Sequence, residues 1–160
     1  MLSVTILAVG KLKDQFYADA AAEYLKRLSA YAKVRVIEIP AVPLPDGPSE
    51  AEIENALRKE GEALLSRTPA DAVCVALCVE GKALSSEETA AFFEKTALSG
   101  RSHIVFYIGG SYGLSGDVKR RAALRLSMSR MTFPHRLARV MLLEQLYRAF
   151  KILRGENYHK

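Results

Sequence analysis

The chain has no tryptophan, only two cysteines, and almost no acidic residues toward its C-terminus. It also lacks any apolar run approaching the roughly 20 residues needed to cross a bilayer. Cys74 and Cys78 both sit in "AVCVALCV". Four residues apart in a strand, they point to one face about 13 Å from each other, too far for a disulfide. The spacing is not C-x-x-C and no histidine accompanies it, so neither a zinc site nor a dithiol redox motif is indicated. Two buried, reduced thiols are expected, with no metal. The opening "MLSVTILAVGKLKD" has no basic n-region and no clear cleavage site, and reads as a first strand rather than a signal peptide. With 160 residues, 49% hydrophobic and 26% charged, the composition is that of one globular domain, 1–160, rather than a disordered chain. A cytoplasmic setting is expected.

Charge is unevenly distributed. Residues 118–160 hold 11 of the 23 Lys/Arg but only two of the 18 Asp/Glu, Glu144 and Glu156. The net charge of +5 thus arises wholly from this last quarter. Such asymmetry points to one face that meets a polyanion, with nucleic acid the expected partner. The competing reading is an ordinary set of solvated helix faces.

Strand and helix signals alternate. "SVTILAVG" (3–10), "KVRVIEI" (33–39), "AVCVALCV" (72–79), "HIVFYI" (103–108) and "LSMSR" (126–130) read as strands. A helix over 14–31 places Phe16, Ala20, Tyr24 and Leu28 on one stripe. Ser49-x-x-Glu52 and Ser85-x-x-Glu88 are capping boxes that open helices running to about Arg67 and Leu98. A basic helix covers roughly 116–125 and a long one 136–154. Four of the six prolines fall in 40–49, which must be a loop. This order predicts an α/β fold with a parallel sheet and helices on both faces. Ligands in such folds bind at the carboxyl ends of strands, here the loops after Val79, Ile108 and Arg130.

The loop "IGGSYGLSGD" (108–117) holds four of ten glycines. It lacks the G-x-G-x-x-G spacing and the Gly-Lys-Ser/Thr of phosphate cradles. A neutral glycine loop suits a ligand held by backbone groups and apolar contact, such as an adenosyl group. "MSRMTFPHR" (128–136) is apolar where a surface loop would be polar, which suits the face of an aromatic ligand; the alternative is a buried loop under the last helix. That helix, "RLARVMLLEQLYRAFKILR", is apolar over most of its circumference, with a narrow polar stripe of Glu144, Arg148 and Lys151. It is expected to bury a second face against a partner, most simply in a homodimer.

"ILAVGKLKD", "EGKALSSEE", "FYIGGSYGL" and "LSMSRMTFPHRLARVMLLEQLYRAFKILRGENYHK" together resemble the RlmH family across essentially the whole chain. These are SPOUT-class methyltransferases that use S-adenosyl-L-methionine to methylate N3 of a pseudouridine in helix 69 of 23S ribosomal RNA. The resemblance implies a homodimer and a C-terminal segment threaded into a deep trefoil knot. It also implies cofactor contacts at Leu77, Gly109 and the segment Met128, Ser129, Arg130, Met131, Thr132 and Phe133. His135, beside that segment, is the candidate general base or substrate-positioning group, the alternative being a cap on the last helix. Arg136 and Arg139, with Tyr158 and His159 of the tail, are candidate RNA contacts. A basic RNA-binding factor of the ribosome without methyl transfer is the rival function.

Overall fold

A computed structural model describes residues 1–160. Its elements are β1 (Ser3–Val9), α1 (Gln15–Leu28), β2 (Lys33–Ile39), α2 (Glu50–Ser66), β3 (Val73–Ala83), α3 (Ser86–Leu98), β4 (His103–Ile108), α4 (Gly116–Arg121), β5 (Leu124–Ser127) and α5 (His135–Leu153). All strands pair in parallel, in the order β2-β1-β4-β3-β5. A parallel sheet is covered on both faces, so its central strands are apolar at consecutive positions. Alternate residues then divide between two cores. Val4, Ile6, Ala8, Ile104 and Phe106 meet Leu142, Leu143 and Leu146 on one side. Leu7, Val9, Val105 and Tyr107 meet Leu64 and Val118 on the other.

Both capping boxes form. The Ser49 hydroxyl accepts from Glu52 N–H and the Glu52 carboxylate from Ser49 N–H, each at 3.1 Å. Ser85 and Glu88 repeat the exchange at 3.0 Å. The proline-rich loop is tied to α2 by Val42 N–H, which donates to Glu60 at 2.9 Å. Burial pushes the Glu60 carboxyl above the usual carboxylate range, partly offset by that hydrogen bond.

Five expectations shift. Phe16 is 66% exposed, and Ala21 and Leu28 carry the buried face of α1. Successive steps of four residues rotate about 40° each around a helix, so a stripe drawn from Phe16 to Leu28 drifts off the core. β3 runs past Val79 to Ala83 because residues 82–83 pair with β5. β5 begins at Leu124 and ends at Ser127, which hands 128–130 to the following loop, and α4 stops at Arg121, with Ala122 extended. Finally, α5 lies against both α1 and α3. Leu142, Leu143, Leu146, Ala149 and Phe150 are buried, and Leu137, Val140, Met141, Tyr147 and Ile152 half-buried. One protomer therefore uses most of the helix's apolar circumference, and the pattern of α5 does not by itself require a partner.

Phe93 joins three elements, α3, β4 and α5. It is 1% exposed, with its ring centroid 6.1 Å from that of Phe106 in the sheet and 5.7 Å from that of Phe150 in α5. Phe93→Ala should lower stability by about 3–5 kcal/mol in denaturant titration, whereas Phe16→Ala should change it by about 0.5 kcal/mol or less.

Candidate active site

β4, β3 and β5 are neighbours running the same way, so the segments that leave their carboxyl ends meet at one edge of the sheet. Together they enclose a cleft of about 770 Å³. One wall comes from β3, because both Leu77 and Lys82 register with Leu126. The residues between, Cys78 to Gly81, leave the ladder and rejoin it, and Cys78, Val79 and Glu80 line the cleft. Gly81 permits this: a Cβ there would lie 2.7 Å from the backbone carbonyl of Arg125. The second wall is the glycine loop. Gly113 N–H donates to Gly110 O at 3.1 Å, and Gly113 has φ of +83°. A Cβ on Gly109 would collide with the Gly113 carbonyl, so only glycine lets this turn close upon itself. The third wall is the loop from Met128 to Pro134 with the first turn of α5.

The chemistry of the walls is mostly neutral. Leu77, Ile108, Leu114, Leu126, Met128 and Phe133 supply apolar surface, and the glycines supply backbone N–H and C=O groups. Burial raises the Cys78 thiol, and Glu80 raises it further against Lys119 and Arg125. Cys78 is therefore a protonated wall residue, not a thiolate nucleophile. Glu80 accepts from Lys119 at 2.5 Å, and that hydrogen bond holds its carboxyl below the usual range.

His135 opens α5 and lines the cleft. Its Nε2 lies 4.0 Å from where a Cβ of Gly10 would stand. Burial lowers its pKa, and the neighbouring Arg136 and Arg139 lower it further. The first turn of α5 is anchored to the loop after β1. Arg139 donates to Glu38 at 2.7 Å and to Gly10 O at 3.0 Å. Arg136 pairs with Asp14 at 3.3 Å. An imidazole so placed is neutral at neutral pH and has a lone pair to accept a proton.

Of the residues singled out from the sequence, Leu77, Gly109, Met128, Ser129, Met131, Thr132, Phe133 and His135 stand together in the cleft wall. Arg130 is exposed and is not among the lining residues. Arg136 sits beside the cleft in its pair with Asp14. Arg139 is 3% exposed; its side chain is spent on Glu38 and Gly10, which corrects its expected place on an RNA-facing surface. Tyr158 and His159 lie away from the cleft. Tyr158 meets Tyr147 edge-on at 4.9 Å beneath Arg148, and His159 bridges Glu87 at 2.6 Å and Arg148 at 3.2 Å. Cys78 is half-buried rather than buried. Glu80, Lys119 and Ala138 also line the cleft; "EGK" after an apolar strand is the only local signal for the first, and the other two enter through helix packing.

A neutral cleft built at the carboxyl ends of adjacent parallel strands, with a glycine turn on one side and the N-terminus of the last helix on the other, accords with the family comparison. The model described as "Predicted SPOUT methyltransferase" matches residues 2–159, and the chain belongs to that family. Individual relatives extend over the full length. Ribosomal RNA large subunit methyltransferase H of Pelotomaculum thermopropionicum is 57% identical over 159 residues, 99% of each chain. The proteins of that name in Carboxydothermus hydrogenoformans and Listeria monocytogenes are 50% and 49% identical, again covering 99% of this chain and all of theirs.

Two outcomes follow from this geometry. Gly109→Ala should abolish ligand binding in the cleft and lower the melting temperature, because the turn must open; differential scanning calorimetry reads the second effect. For His135, the folded pKa is below the usual 6.5, so the unfolded chain binds the proton more readily. Its stabilising contribution is complete above about pH 6.5 and is lost as pH falls through the folded value. His135→Gln should therefore lose less melting temperature than the parent between neutral pH and about pH 5.

Proposed function

We propose that this protein is an S-adenosyl-L-methionine-dependent methyltransferase that modifies N3 of a pseudouridine in helix 69 of 23S ribosomal RNA, in the cytoplasm where ribosomes are made. The observation that carries this reading is the convergence of the three strand-end segments into one neutral cleft beside a neutral histidine. Membership of the SPOUT methyltransferase family and the names of the full-length relatives support the reaction class and the rRNA substrate.

The cleft fits the proposed donor. Its apolar floor suits an adenine ring, and the Gly109–Gly113 turn brings bare backbone within reach of a ligand where any side chain would intrude. Leu77, Gly109 and the 128–133 segment would hold the group, which supplies a methyl already activated on a sulfonium. The chain's own tasks are then to align the nucleophile and to take its proton. Uracil-type N3–H is weakly acidic, and the neutral His135 imidazole is the base placed to accept that proton. Arg136 and Arg130 supply positive charge to the ring as it becomes anionic and to nearby phosphates. In this reading two copies associate so that the basic C-terminal faces, including Tyr158 and His159, present enough surface to a folded RNA. The knotted C-terminus belongs to the same reading and rests on the family resemblance.

Calorimetric titration with S-adenosyl-L-methionine should give 1:1 binding per chain. An inert titration would leave only an RNA-binding factor. Mass spectrometry of rRNA from cells lacking the protein should show one missing methyl group. His135→Ala should lower turnover at saturating donor by about 100-fold or more while leaving donor affinity nearly unchanged; unchanged turnover would remove His135 from the chemistry. RNA affinity should fall steeply with added salt.

A further inference from the structure

Tyr112 stands out among the seven tyrosines. The other six each contact an aromatic ring or use the hydroxyl in a hydrogen bond. Tyr112 does neither, is 50% exposed, and lies on the cleft wall. Its loop is not a floppy one. The Gly109 backbone rests against Gly113, and Gly110 and Gly113 form a bridge across the turn. The turn thus holds an unpartnered aromatic ring at the mouth of the cleft at low conformational cost.

The surroundings show what such a ring would meet. Val79 is 47% and Met131 72% exposed, so three of the seven exposed large apolar side chains surround this one opening. Arg130, next to Met131, is exposed and enters no ion pair. Deeper in the cleft, Ile108, Leu114 and Leu126 are 4%, 6% and 7% exposed. There is thus an enclosed floor for the donor and a separate outer rim facing solvent, from which a macromolecular substrate must arrive. A second copy of the chain is the poorer occupant. A stable interface needs about 800 Å² per partner, more than three side chains supply. Aromatic rings beside free cations are how proteins hold unpaired bases, and a base buried in an RNA helix must leave its stack before it is modified.

We infer that Tyr112 is the stacking platform for the extruded target base, with Met131 and Val79 completing an apolar collar and Arg130 holding the adjoining phosphate. This rests on the rRNA methyltransferase reading and assigns the residue that positions its substrate. The test is methyl-transfer kinetics on large ribosomal subunits from cells lacking the protein. Tyr112→Ala should raise KM for the subunits about tenfold or more, with donor affinity by calorimetry unchanged. Tyr112→Phe and Tyr112→Trp should restore the parent KM, since stacking needs a ring and not a hydroxyl. Because the chain has no other tryptophan, Tyr112→Trp also provides a single emitter, whose fluorescence should not change on adding S-adenosyl-L-methionine alone. An unchanged KM in Tyr112→Ala overturns the inference. So does a loss of donor affinity or donor-induced quenching of the tryptophan, which would make Tyr112 a lid on the adenine. So does a changed sedimentation coefficient for Tyr112→Ala, which would make it a subunit contact. A parent chain that transfers no methyl would instead sink the functional reading beneath it.

Discussion

The position of β3 between β4 and β5, parallel to both, is the constraint from which the site follows. Carboxyl ends of adjacent parallel strands lie about 5 Å apart, so whatever follows them is forced together. Here that means a polar excursion from β3, a glycine turn after β4 and an apolar loop after β5. Two close backbone approaches complete the arrangement. Gly81 lets β3 pass against Arg125, and Gly109 lets the turn fold onto Gly113. Neither glycine is there for left-handed backbone; each is there because a Cβ has nowhere to go.

Electrostatics then divide the basic C-terminal region into parts with different work. Arg139 is buried against Glu38 and Gly10 O, and Arg136 pairs with Asp14. Both tie the first turn of α5 to the loop after β1, and both place positive charge beside His135. Removing Glu38 would leave the buried Arg139 guanidinium without its counter-charge, which is costly. The same charges disfavour a protonated imidazole. Structural anchoring and the tuning of the proposed base are thus one arrangement, and Arg130 and Arg136 keep enough exposure to meet an anion.

The tail has its own logic. Tyr158 and His159 are held on α5 by Tyr147 and Arg148, and His159 reaches Glu87 at the start of α3. Arg148 is itself held by Glu144. The narrow polar stripe on α5 is therefore not simply a solvated face; it is the dock for the last residues of the chain.

Much of the architecture was legible in the residues. Short apolar runs marked the strands, Ser-x-x-Glu marked two helix starts, and clustered prolines marked the loop at 40–49, because each of these signals acts over a few residues. The three segments that line the cleft were also legible, since parallel order places strand ends together and this glycine turn has neither the spacing nor the lysine of the known phosphate cradles. What local signals could not carry was anything set by contact between distant residues. The continuation of β3 beyond Val79 depends on pairing with residues some forty positions later. The burial of Arg139 depends on Glu38, a hundred positions earlier, and the covering of α5 depends on α1 and α3. The sequence by itself determined which segments are strands, helices and neutral turns, through local propensity and hydrophobic period. Only the tertiary structure decided which cations are free and which are spent, and which aromatic ring is left facing the cleft, because burial and pairing are properties of the packed chain and not of any stretch of it.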